Sequence, residues 1–91
     1  MYRIIDRRGY GKTGRLMLLA KETNSAIVCA NPTAMREKAY RYGIVGIDFI
    51  SYEEAMNLSS TQNLMIDEIE NFVCYCLKNK RVIGYTLSNE D

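Results

Sequence analysis

The chain has 91 residues, of which 47% are hydrophobic and 25% are charged, and its 12 Lys and Arg against 11 Asp and Glu leave a net charge of +1. These values are ordinary for a globular protein and exclude a disordered tail, a collagen-like repeat and a two-domain enzyme. The small net charge does not indicate a large basic face of the kind that binds a nucleic-acid phosphate backbone. We expect one domain over residues 1–91.

No apolar run approaches the roughly 20 residues that a membrane-spanning helix needs, and the N-terminus lacks the apolar stretch of a signal peptide. The chain has three cysteines, Cys29, Cys74 and Cys76, and no histidine. An odd number of thiols without histidine partners predicts three free cysteines, buried or half-buried, rather than a disulfide framework or a zinc site. We therefore expect a cytoplasmic protein that does not contact a membrane.

The first third of the chain alternates short apolar runs with a helical pattern. Residues 2–6 predict a strand, and a turn that contains glycine follows them. Residues 12–23 predict a helix whose apolar stripe includes Leu16 and Leu19. The continuous apolar run 26–30 is typical of a strand that is buried on both faces.

The same alternation continues to the end of the sequence. The remaining predicted elements are a helix from Pro32 to a stop at Gly43, a strand over 47–50, a helix over 52–56 with Ser51 and Glu54 as a capping box, a strand over 63–67, a helix over 68–79 and a strand over 81–87. Strands that alternate with helices are joined by right-handed crossovers. The pattern predicts an α/β domain in three layers, with a mainly parallel five-stranded sheet and helices on both faces.

A glycine-rich turn between the first strand and the first helix carries the clearest chemical signal. Such a turn lets backbone N–H groups approach phosphate oxygens, and the helix N-terminus adds partial positive charge. Lys12 is placed to reach the β- and γ-phosphates, and the Thr13 hydroxyl to ligate Mg²⁺. The predicted cofactor-binding residues are Gly9, Tyr10, Gly11, Lys12, Thr13 and Gly14. The alternative is a plain strand–helix turn with an exposed lysine.

A second signal is the apolar run that ends in Asp67 and Glu68. Ligands of open parallel sheets bind at the carboxyl ends of the strands, where these acids are expected. Asp67 is a candidate Mg²⁺ ligand through water. Glu68 is a candidate catalytic group that polarises an attacking water, and Lys12 is a second candidate catalytic group that stabilises charge on the phosphates. The alternative is that both acids only complement the dipole of the following helix.

With both motifs present, the chain resembles P-loop NTPases of the RecA-like, helicase and terminase type. Gly11-Lys12-Thr13 is similar to Walker A, and Leu64 to Glu68 is similar to Walker B. The layout also resembles small P-loop proteins of bacteriophages and mobile elements. The resemblance implies a minimal P-loop fold with strand order 5-1-4-3-2. One departure is Asp6, which stands where Walker A begins with glycine, and a carboxylate near a triphosphate opposes its binding by about 1–4 kcal/mol.

These signals predict a nucleotide-binding protein, with ATP or GTP and Mg²⁺ as cofactors. It is a possible NTP phosphohydrolase whose turnover is slow or partner-dependent, because the chain offers no C-terminal arginine finger. A protein partner or self-association would supply that arginine in trans. The alternative is a small phage-type protein that keeps the fold but acts by protein–protein interaction, such as an anti-CRISPR-like inhibitor of host defence. A weaker third possibility is nucleic-acid binding by the basic helix face of Arg36, Lys38 and Arg41.

Overall fold

A computed structural model describes residues 1–7, 9, 11–59, 62–78 and 80–88 of the chain. Within these ranges the helices are Lys12–Thr23 (α1), Pro32–Arg41 (α2), Tyr52–Met56 (α3) and Ile69–Cys76 (α4), and the strands are Ala26–Val28 (β1), Phe49–Ile50 (β2) and Leu64–Ile66 (β3). The alternation of parallel strands with helices confirms the α/β class.

The three strands form one parallel sheet in the order β2-β1-β3. Ile27 in the centre of β1 lies opposite Phe49 on one side and Met65 on the other. The chain runs from β1 through α2 to β2 at one edge of the sheet. It then crosses β1 through α3 to reach β3 at the other edge. Right-handed crossovers therefore place α2 and α3 on opposite faces. The gap between β1 and β3 is the topological switch point, where ligands of open α/β sheets bind.

The prediction of five strands in a three-layer sheet is wrong for the described residues. Segments 2–6 and 81–87 form neither helix nor strand and do not pair with the sheet. Their apolar side chains face solvent: Ile5 is 76% exposed and Ile83 is 90% exposed. Alternation of apolar residues favours an extended backbone, but a strand of a parallel sheet also needs covered faces. Most residues of both segments are exposed, so their backbone groups can be satisfied by water.

The strand order implied by the resemblance to P-loop NTPases is also wrong. That order places the strand at 47–50 between the other two, whereas the structure places β1 in the centre. The central position pairs on both edges and is covered on both faces, so it suits the most apolar strand. All three residues of β1 are at most 1% exposed, whereas β3 begins with Leu64 at 40% exposure.

The hydrophobic core lies between the sheet and the first two helices. The core cluster consists of Met17 and Ala20 of α1, Met35 and Ala39 of α2, and Ile27, Cys29 and Phe49 of the strands and their ends. α1 and α2 therefore pack on the same face of the sheet. Because a short turn joins α1 to the start of β1, the N-terminus of α1 lies toward the carboxyl ends of the strands.

The helix ends follow the predicted signals. The Asn31 side chain accepts a hydrogen bond from the Ala34 N–H at 3.1 Å, and Pro32 follows as the first residue of α2. Gly43, with φ of 71°, comes two residues after α2 ends. At α3 the predicted capping box is present, with the Ser51 hydroxyl accepting from the Glu54 N–H and the Glu54 carboxylate from the Ser51 N–H, each at 3.1 Å.

The second half of the chain leaves an apolar helix face open. The Tyr52 ring contacts the rings of Phe72 and Tyr75 with centroids 5.3 Å apart in both pairs, which joins α3 to α4. No described residue of α4 is buried, although Ile69 and Val73 are apolar and are 50% and 37% exposed. Within the described ranges, the structure has no helix that combines the length and apolar character required to traverse a bilayer.

Candidate functional site

The turn before α1 contains two glycines with left-handed backbone conformations. Gly9 and Gly11 have φ of 88° and 74°, left-handed values that side chains other than glycine rarely adopt. α1 begins directly after Gly11, and within the described residues its N-terminus has no side-chain cap and no acid in its first turn. Its first N–H groups are therefore left for an external acceptor, with the helix dipole behind them. Tyr10, the remaining predicted residue of this loop, lies outside the described residues.

Thr13 and Asp67 meet at the carboxyl edge of the sheet. Asp67 follows β3 directly, and its backbone N–H donates to the Val28 carbonyl at 3.0 Å, which fixes it beside the end of β1. The Thr13 hydroxyl, in the first turn of α1, lies near enough to the Asp67 carboxylate to lower its pKa, and Lys12 acts on the same carboxylate through its charge. The structure thus brings together the two predicted motifs, which are far apart in the sequence.

The Asp67 carboxylate is held in an unfavourable electrostatic environment. Burial raises the pKa of Asp67 above its ordinary value, and the charge of Glu68 raises it further. Lys38, Lys12 and the Thr13 hydroxyl oppose this rise without cancelling it. A cation or a proton beside Asp67 would therefore be stabilised. This is the electrostatic condition that a carboxylate ligand of Mg²⁺ should meet.

Glu68 occupies a left-handed backbone conformation at the start of α4. Its φ and ψ are 57° and 72°, and within the described residues its side chain caps no helix N–H. A residue with a Cβ in this region is strained by about 1–2 kcal/mol. The side chain is exposed and follows Asp67 directly, so it points away from the core at the candidate site.

Lys12 does not extend freely into solvent. Its ammonium donates to the backbone carbonyl of Asp6 at 2.8 Å. The Asp6 carboxylate accepts from the Arg7 N–H at 2.8 Å and pairs with the Arg15 guanidinium at 3.1 Å. The Arg7 hydrogen bond lowers the pKa of Asp6, and Arg15 and Lys12 lower it further. Asp6 thus interacts with cationic residues of its own loop and of the following helix, α1.

Two residues at this site were not recognised from the sequence. Arg15 was not singled out, although it lies three positions after Lys12 and therefore on the same side of α1. Lys38 was assigned to a basic helix face, but it is half-buried and its charge acts on Asp67. No local pattern indicates the role of Lys38, because its effect depends on how α2 packs against the sheet.

The predicted basic face of α2 is divided in the structure. The Arg36 guanidinium donates to the Phe49 carbonyl at 3.3 Å, at the free edge of β2. Arg36, Glu37, Tyr40 and Arg41 line an open groove of about 410 Å³ along α2. This groove contains neither Lys12 nor Asp67, and Glu37 places a negative charge in it. We therefore place the candidate site at the carboxyl edge of the sheet, where the groups with phosphate and metal chemistry meet.

The remaining metal-ligating and nucleophilic groups do not add to the site. Cys29, Cys74 and Cys76 are free; Cys29 is buried, whereas Cys74 and Cys76 are exposed, so the prediction of burial is wrong for these two. Burial raises the pKa of the Cys29 thiol to about 11, which keeps it protonated and unreactive. Across the described ranges, no three Cys, Asp or Glu residues cluster as a metal site. A divalent ion at Asp67 and Thr13 would therefore need water or phosphate oxygens as further ligands.

Comparisons with protein-family models, with curated proteins and with solved structures find no match to this chain. Its function must therefore be inferred from the geometry of the carboxyl edge.

Proposed function

We propose that the chain binds a nucleoside triphosphate, ATP or GTP, together with Mg²⁺, at the carboxyl edge of its sheet. The observation that carries this proposal is the meeting of Lys12 and Thr13 with Asp67. A cation, a hydroxyl and a carboxylate at the N-terminus of a helix are the groups that hold a phosphate–Mg²⁺ pair. The position beside the β1/β3 switch point also supports the proposal.

Each residue has a distinct role in this proposal. The turn at Gly9 and Gly11 and the first N–H groups of α1 bind phosphate oxygens. Lys12 places its ammonium on the terminal phosphates. Thr13 and Asp67 hold Mg²⁺, directly or through water, and the ion relieves the unfavourable charge of the buried carboxylate. The Mg²⁺ ion would supply charge neutralisation on the phosphates.

Hydrolysis, where it occurs, would use Glu68 to orient a water. Its exposed side chain next to Asp67 is compatible with that role. Full turnover would need an arginine in trans, from a protein partner or from a second copy of the chain. We therefore propose a slow or partner-dependent NTPase and, with three free thiols, a cytoplasmic location.

Thermal unfolding with and without Mg-ATP tests this function. A ligand at about 100 times its Kd stabilises the folded state by about 2.7 kcal/mol. The melting temperature should rise with Mg-ATP in the wild type and should stay unchanged in Lys12→Ala. Lys21→Ala is the matched control, since Lys21 lies in the last turn of the same helix and should leave the shift intact. A wild type without a shift, or equal shifts in both lysine variants, would reject the proposal.

The second candidate function is protein–protein interaction without turnover, as in a phage-type inhibitor. The exposed apolar face of α4, including Ile69 and Val73, favours it, because monomeric proteins rarely leave such a face open. In this case Mg-ATP would not shift the melting temperature. Sedimentation would show association that Val73→Asp abolishes and Lys12→Ala does not change.

A further inference from the structure

Asp6 contacts both neighbouring cations of α1, Lys12 through its main chain and Arg15 through its side chain. Its carbonyl accepts from Lys12 at 2.8 Å, and its carboxylate pairs with Arg15 at 3.1 Å. A third contact, from the Arg7 N–H at 2.8 Å, fixes the orientation of the carboxylate. A phosphate group bound at the N-terminus of α1 would attract the same two cations.

We propose that Asp6 is a positioning residue that competes with the ligand: it holds Lys12 and Arg15 in the absence of a polyphosphate and gives up both when one binds. This inference rests on the proposed function, since it concerns the same loop. The Asp6 side chain is tied at two points, so residue 6 is fixed and its carbonyl is kept facing Lys12. Loss of the Arg15 pair would loosen that arrangement and free the Lys12 ammonium. The ligand class is an inorganic or nucleoside polyphosphate, whose several charges can replace both contacts.

The competition predicts coupling between residues 6 and 15. Asp6→Asn removes the anion and should tighten the binding of tripolyphosphate and of Mg-ATP by about two- to fivefold, the range expected for one exposed ion pair. In an Arg15→Gln background the same substitution should give a smaller gain, because its partner is already absent. A general electrostatic effect of Asp6 would instead give the same gain in both backgrounds, and that result would overturn the proposal. Isothermal titration of the wild type, the two single variants and the double variant measures all four values.

A measurement without nucleotide separates this inference from the proposed function. The rate of reductive methylation of Lys12, read by peptide mass spectrometry, reports how freely its amine moves. Arg15→Gln should speed this reaction at least about twofold, since an opened ion pair releases the amine. A variant in which Lys12 is methylated no faster than in the wild type would show that the ion pair does not hold the amine. Lys21 serves as the internal control and should react equally in both proteins.

The two measurements give distinct outcomes. Faster methylation of Lys12 in Arg15→Gln, with no polyphosphate binding to any variant, would support the contact between Asp6 and the cations and reject the proposed function. Polyphosphate binding with unchanged or slower methylation would retain the proposed function and overturn the role of Asp6.

Discussion

The Thr13 hydroxyl lies near enough to the Asp67 carboxylate to lower its pKa, although the two residues lie at the ends of different elements far apart in the chain. This proximity brings the start of α1 to the end of β3 at the switch point of the sheet. It places a hydroxyl and a carboxylate side by side, with the Lys12 charge near both. The neighbouring groups do not fully compensate the charge of Asp67, and this imbalance has consequences that can be measured.

Replacement of Asp67 should stabilise the protein near neutral pH. The pKa of Asp67 is raised above its ordinary value of 3.8 on folding, mainly because burial disfavours the charged form. The folded protein therefore holds this proton more tightly than the unfolded chain, so its stabilising effect is present below 3.8 and is lost as the pH rises through the raised value. Asp67→Asn should raise the melting temperature at about pH 7 and lose that advantage at about pH 3. A lower melting temperature at neutral pH would contradict the prediction.

Mg²⁺ should act on the same carboxylate. An ion that neutralises Asp67 binds the folded state and stabilises it by mass action. Millimolar MgCl₂ in the presence of ATP should raise the melting temperature of the wild type further than ATP with EDTA does. Asp67→Asn should lose this additional rise. Asp48→Asn, which changes an exposed aspartate before β2, is the control and should keep it.

Glu68 offers a test of whether backbone strain is stored at the site. Its φ of 57° is relieved by glycine, so Glu68→Gly should stabilise the protein by up to about 1 kcal/mol in chemical denaturation. The same variant should abolish any ATP hydrolysis measured by phosphate release. Asn24→Gly is the control: Asn24 has φ of 54°, but asparagine tolerates this region, so its change should be smaller. Equal gains in both variants would argue against specific strain at Glu68.

Two glycines of the loop and helix should respond to alanine in opposite directions. Gly14 lies inside α1, and a Cβ there would meet the Tyr42 ring at 3.6 Å, an ordinary van der Waals contact. Gly14→Ala should therefore stabilise the protein by about 0.5–1 kcal/mol through helix propensity. Gly11 has φ of 74°, so Gly11→Ala should destabilise it by about 1–2 kcal/mol. Urea unfolding of both variants measures the pair, and a stabilising Gly11→Ala would mean that the turn is not left-handed.

The capping box at α3 gives a prediction independent of the candidate site. Ser51→Ala removes the hydroxyl that accepts from the Glu54 N–H and should destabilise the protein by about 1 kcal/mol. For a domain of this size the melting temperature should fall by about 4–8 °C. Ser59→Ala, at an exposed position outside the helices and strands, should change it little. A similar fall in both variants would show that the cap is not the cause.

Much of the local structure could be predicted from the sequence. Apolar periodicity indicated α1, α2, α4 and the three paired strands. Pro32 indicated where α2 begins, and the capping box of Ser51 and Glu54 indicated α3. These signals act over a few residues, through side-chain spacing and capping hydrogen bonds. The same reasoning failed for segments 2–6 and 81–87, since it indicates an extended backbone but not whether another strand or helix covers it.

The sequence by itself determined the chemistry of the candidate groups: a cation and a hydroxyl at the start of a helix, and two acids at the end of a strand. Tertiary structure decided which strands pair, that β1 is central, and that Lys38 and Arg15 act on Asp67 and Asp6. It also decided that the Asp6 carboxylate pairs with Arg15 of the helix that follows it. The physical reason is that strand order and charge environment depend on burial and on contacts between distant residues, which no local spacing encodes.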